Sequence, residues 1–141
     1  MKLHPYGLGA LAWIVVSTGC SGPTSPPPPP SGGEEFVLDY PEFQASVMPV
    51  LNQFSCNTAE CHGGGIRGTY QLSPVDAPNP AYDFEQTRLQ VDPYDPSASP
   101  LLRKPLAVGA GGELHSWEPF ASTDDPAYRA LEAWILSGAF E

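Results

Sequence analysis

Two thiols and an imidazole fall within the seven residues Cys56-Asn57-Thr58-Ala59-Glu60-Cys61-His62, and Gly63-Gly64-Gly65 follows at once. The shorter form of this pattern, Cys-x-x-Cys-His, is the attachment motif of c-type haem. There each thiol adds across a haem vinyl group to give a thioether, and the adjoining His is placed under the porphyrin as proximal iron ligand. Two extra residues between the cysteines leave that logic intact, because the vinyl groups fix only where the sulfurs must arrive. On this reading Cys56 and Cys61 tether one covalent haem and His62 is the proximal ligand. Two other readings stand beside it. Cysteines at this spacing in an exported protein can close a small disulfide loop, leaving His62 an ordinary surface residue. Structural zinc is the third, but it usually takes four Cys or His ligands. Beyond the N-terminal segment only Cys56, Cys61, His62 and His115 supply such ligands, and the interval from His62 to His115 matches no finger or ribbon.

The elements that position these residues are read from both ends of the chain. At 141 residues there is room for one domain, and for less once the N-terminal segment is removed. Residues 1–19 read as an export signal, with Lys2 near the start, the apolar run Leu8 to Val16 and then small residues. The run is too short to cross a bilayer as a stable helix. Residues 20–35 read as a tether: the prolines from Pro23 to Pro30 favour polyproline II, and Ser31-Gly32-Gly33 adds a flexible joint. Residues 36–141 form the folded domain. The net charge of −10 and pI near 4.5 exclude a nucleic-acid binder, which needs a basic face to neutralise phosphates.

Within the domain, Asp39 predicts a helix cap with Pro41 in the first turn. Phe43, Val47, Val50, Leu51 and Phe54 make an apolar stripe leading into Cys56, with Pro49 predicting a kink or two short helices. The C-terminal helix is clearer: Asp124 or Asp125 caps it, Pro126 opens it, Gly138 ends it, and Tyr128, Leu131, Trp134 and Ile135 form its buried face. Between these helices lie about 60 residues rich in Pro, Gly and Asp, with a short helix expected near residues 81–90. So much irregular chain in a small domain asks for something to wrap. A flat apolar disc such as haem meets that need. There is no internal repeat.

The N-terminus resembles a bacterial lipoprotein signal, which implies cleavage before Cys20 and acylation of that thiol; Ser17 departs from the usual Leu of that pattern. Ser21 in place of Asp implies sorting to the outer membrane, on its periplasmic face. Lipid on Cys20 leaves Cys56 and Cys61 as an even pair.

The domain as a whole resembles the small cytochrome c-like modules of planctomycete and myxobacterial exported proteins, including forms with four residues between the cysteines. The resemblance rests on an ordered set: Val47 to Leu51, Cys56 to Gly63, Tyr70 to Ser73, Asp95 to Pro105, a His in the Gly-rich stretch from Gly109 to His115, and Trp134 to Ala139. It implies a mainly α fold, with N- and C-terminal helices packed around haem and long irregular loops. It also implies electron transfer with redox partner proteins. The resembling modules carry a His near position 115, although here the glycines precede it. Met is the usual alternative sixth ligand, but Met48, the Met of residues 20–141, precedes the motif on the helix leading into it. His115 is therefore the candidate distal ligand, and six-coordinate iron then favours an electron carrier over an enzyme. An open distal site would instead suit peroxidase-like or gas-binding chemistry. The carbonyl of Pro74 is the expected partner for the second nitrogen of His62. Trp117, Tyr70 and Arg67 are candidates for haem or propionate contact.

Overall fold

The computed structural model describes residues 33–64 and 68–141. The signal, the tether up to residue 32, Cys20 and Arg67 lie outside the described residues. Glu34–Glu141 forms one compact unit. It is rich in helix, with one two-stranded sheet among the described residues.

Asp39 starts the first helical segment as its sequence suggests, its carboxylate accepting the Glu42 N–H at 2.5 Å ahead of α1, Tyr40–Glu42. The path continues without a break through a π-helical turn, Phe43–Val47, into α2, Met48–Gln53. The wide turn answers Pro49. Proline has no N–H for the i→i−4 bond, and its ring crowds the carbonyl four residues back. Here the Met48 N–H reaches back five residues to the Phe43 carbonyl. The expected interruption at Pro49 thus takes the form of a π turn inside one helical stretch. Phe43, Val47, Val50 and Leu51 are buried, while Phe54 is partly buried and packs edge-on to Phe120 at 5.2 Å.

Helix α3, Pro80–Arg88, lies where a short helix was expected and is capped by the Asn79 side chain. A 3-10 turn at Pro96–Ala98 leads to α4, Pro100–Arg103, whose Leu101 and Leu102 are buried. A further 3-10 turn spans Val108–Ala110. The C-terminal helix α5, Pro126–Leu136, is capped by Asp125, which accepts the Ala127 N–H at 2.8 Å. All four residues of its expected inner face are buried. Helix α5 packs on the π turn, on α4 and on α2. At that crossing Trp134 meets Phe43 and Phe84, with ring centroids 5.6 and 6.3 Å away, and its indole N–H donates to the Asp39 carbonyl at 2.9 Å.

The ends of the unit are joined by a feature absent from the sequence reading. Strand β1, Phe36–Val37, pairs antiparallel with β2, Ala139–Phe140. Reciprocal bonds between Glu35 and Glu141 extend the pairing. No helix among the described residues is long and apolar enough to cross a membrane.

Candidate functional site

The cysteine loop grows out of the end of α2. Ser55 takes a positive φ of 57°, and the Cys56 N–H then bonds back to the Leu51 carbonyl. The chain folds on itself: the His62 N–H donates to the Cys56 carbonyl at 2.9 Å and the Gly63 N–H to the Thr58 carbonyl at 2.9 Å. Gly63 is required here, because a Cβ at that position would run into the Asn57 carbonyl. Gly63 and Gly64 thus serve the closure of the loop that presents His62. The Asn57 amide donates to the Asn52 side-chain oxygen at 2.9 Å, fastening the loop to α2.

Both thiols are free and partly buried. Burial pushes the Cys56 thiol up to about 11, and the neighbouring Cys61 adds to the rise. A buried thiol with this bias stays protonated at neutral pH. It also has a stability consequence. The folded-state value lies above the ordinary 9.0, so the stabilising effect is complete below pH 9 and is lost as pH rises through 11. The reduced, haem-free protein should lose about 2–3 kcal/mol more than a Cys56→Ala variant between pH 8 and 12. Denaturant titration of the two proteins across that range is the check, and parallel curves would count against it.

His62 is partly buried. Its Nδ1 lies 2.9 Å from the Tyr70 carbonyl. A carbonyl only accepts, so Nδ1 carries the proton and Nε2 keeps its lone pair. This corrects the sequence expectation that Pro74 would be the partner. The Leu72 N–H donates to the His62 carbonyl at 2.9 Å, which lays residues 70–72 beside His62, whereas the Pro74 carbonyl closes a turn with the Ala77 N–H. The Tyr70 segment is itself anchored. Thr87 donates its hydroxyl proton to the Asp83 carbonyl at 2.7 Å, so Tyr70 must be the donor in its 3.0 Å bond to Thr87. The buried Asp83 carboxylate accepts the Ser73 N–H and hydroxyl at 2.6 and 2.7 Å. Burial holds His62 below its ordinary value of 6.5, the Tyr70 bond opposes this, and His115 adds to the lowering. The neutral ring is the form that ligates metal.

His115 reaches the same place from the far side of the sequence. The parallel bridge of Leu106 with Phe120 closes the base of its loop. Within the loop the Glu118 carboxylate accepts the N–H groups of Val108 and His115 at 3.2 and 3.3 Å. Glu113 is pinned to α4 through Lys104 at 2.7 Å and Arg103 at 3.2 Å. The Nδ1 of His115 lies 2.8 Å from the Trp117 carbonyl, so this ring too holds its proton on Nδ1 and leaves Nε2 free. The two imidazoles lie within 8° of parallel, with centroids 6.0 Å apart. Two imidazoles bound across one metal ion, at about 2 Å per metal–nitrogen bond, have centroids separated by about 6 Å. Both rings line a cavity of about 310 Å³ together with Cys61, Tyr70 and Lys104.

Of the residues singled out in the sequence, Cys61, His62, His115 and Tyr70 meet at this cavity, and Cys56 lies on the loop that forms one side of it. Trp117 faces a second cavity, shared with Phe54 and Cys61. Met48 lies elsewhere, lining a cavity with Asn52, Asn57 and Asp83. Among the described residues no three His, Cys, Asp or Glu side chains converge as a metal cluster, so the four-ligand zinc reading lacks its geometry. The sequence reading missed Glu118, which positions His115, and Lys104. Their signal was faint: a single carboxylate three residues after a loop histidine and a basic pair at Arg103-Lys104.

No family model, curated protein or solved structure matches this chain.

Proposed function

We propose that this chain is a lipid-anchored, single-haem c-type cytochrome that transfers electrons outside the cytoplasm, built on a small cytochrome c-like fold. The observation that carries the proposal is the His62–His115 pair: parallel rings with centroids 6.0 Å apart, each with Nδ1 tied to a carbonyl, a separation that one metal ion held between the two Nε2 atoms would match. A second nitrogen fixed by a backbone carbonyl is the support that ligating histidines have. Cys56 and Cys61 supply the tethers. Each sulfur forms one S–C bond to a vinyl carbon while the thiol proton goes to the other carbon, so the addition needs neither oxidant nor leaving group. Haem, when bound, supplies a one-electron iron couple whose potential follows its axial ligands. Ligation by two imidazoles leaves no open position for a substrate, which favours electron transfer to redox partner proteins. Acylation at Cys20 and the proline-rich tether complete the proposal, holding the domain at the periplasmic face of the outer membrane.

Protein made together with a haem-attachment system should carry one haem that survives denaturation and acid–acetone extraction, with a low-spin spectrum. The Cys56→Ala/Cys61→Ala variant should lose all covalent haem. A colourless wild type with a 56–61 disulfide by mass spectrometry would sink the proposal in favour of a haem-free binding lipoprotein. A high-spin wild type would point instead to gas-binding or peroxidase-like chemistry.

A further inference from the structure

Basic residues are few in this acidic chain, and the structure distributes their partners unevenly. Among the described residues, Arg88 pairs with Glu85, and Arg129 pairs with both Asp124 and Glu132. Arg103 and Lys104 share the single carboxylate of Glu113. One positive charge is therefore in surplus at the end of α4. Of those two cations it is Lys104 that lines the cavity between His62 and His115. The other charged side chain in that lining is Glu60, from the cysteine loop, and Thr69, Gln90 and Ser116 add neutral polar groups. An ammonium has three donors on a flexible stem, so Lys104 can keep Glu113 and still present N–H groups to a second carboxylate. Arg103 remains to hold Glu113 in either case.

We infer that Lys104 is a binding residue for a carboxylate of the cavity's ligand, specifically a propionate of haem, and that Lys104 together with Glu60 sets which way round the porphyrin lies. The inference rests on the haem reading above. A propionate placed by Lys104 gains a charge-assisted hydrogen bond, whereas one turned towards Glu60 meets a like charge. The two sulfurs fix the vinyl positions, and the surplus cation fixes the acidic edge in agreement with them.

The test separates the carboxylate from the rest of the porphyrin. Haem and haem dimethyl ester are titrated into the Cys56→Ala/Cys61→Ala protein, with Lys104 intact, changed to Gln, or changed to Arg. Lys104→Gln should weaken haem binding about tenfold and leave ester binding unchanged, while Lys104→Arg keeps most of the affinity for haem. If Lys104→Gln weakens both compounds alike, or neither, the propionate assignment is wrong. If none of these proteins binds either compound, the wild type made with a haem-attachment system decides: a colourless wild type overturns the haem reading, and in a coloured one a Lys104→Gln change that leaves the haem potential and its pH dependence unmoved overturns the propionate assignment.

Discussion

Replacing His115 with Ala should convert a low-spin haem protein into a high-spin or water-ligated one that takes up carbon monoxide on reduction, with covalent haem undiminished. In the haem protein proposed above the thioethers would depend on Cys56 and Cys61, which sit on a loop fastened to α2 by its own hydrogen bonds. His115 is held from another part of the chain, through Glu118, Glu113 and the Trp117 carbonyl. Its removal therefore leaves the attachment loop in place. No thioether can take over, because Met48 lines a different cavity with Asn52 and Asp83. The potential should move as well, since axial ligand identity is one of the protein's main controls on it. The measurements are the optical spectrum of the oxidised protein and carbon monoxide binding to the reduced one. An unchanged low-spin spectrum in the variant would show that some other group faces His62.

The second large effect lies in the core. Trp134→Ala should cost about 3–5 kcal/mol, the range for deleting a large buried aromatic side chain. Trp134 is 1 % exposed and stands where α5 crosses the π turn, against Phe43 and Phe84. Its indole N–H also satisfies the carbonyl of Asp39, the residue that caps α1. One side chain thus ties the C-terminal helix to the helical stretch that leads into the cysteine loop. Trp134→Phe keeps most of the ring and loses the hydrogen bond, so it should cost about 1–2 kcal/mol. Small domains have about 5–15 kcal/mol in total, which makes the Ala variant marginal. Chemical denaturation of the haem-free proteins checks the order, and equal losses for Phe and Ala would refute the packing account.

Helix α5 was legible because every local signal agreed: the Asp125 cap, Pro126 at the start, Gly138 after the end and an inner face at helical spacing. Asp39 and Pro41 announced α1 in the same way. The sequence also singled out the residues that meet at the cavity, since Cys, His and an adjoining Gly run are rare enough to draw notice. What it could not supply was set by contacts between distant segments. The carbonyl facing His62 is chosen by how residues 70–72 lie against it, and any carbonyl in that stretch looks alike in sequence. Strands β1 and β2 have two residues each, too few for an alternating pattern. The π turn is a response to Pro49, which by itself signals only a disturbed helix. The 3-10 turns and α4 are shorter than any apolar period, and their burial comes from Leu101 and Leu102 meeting the core.

The pairing of Glu35 with Glu141 carries an architectural consequence. With the N–H of each bonded to the carbonyl of the other at 2.9 and 3.0 Å, the backbone of the unit is nearly a closed ring with one narrow gap. Such a module has a single doorway: whatever is spliced to either terminus emerges at the same spot on its surface, and a bridge of a few residues would seal the circle. A fold of this kind can be grafted into a surface loop of a host protein with little distortion on either side, or cut open in another exposed loop to give a permuted chain.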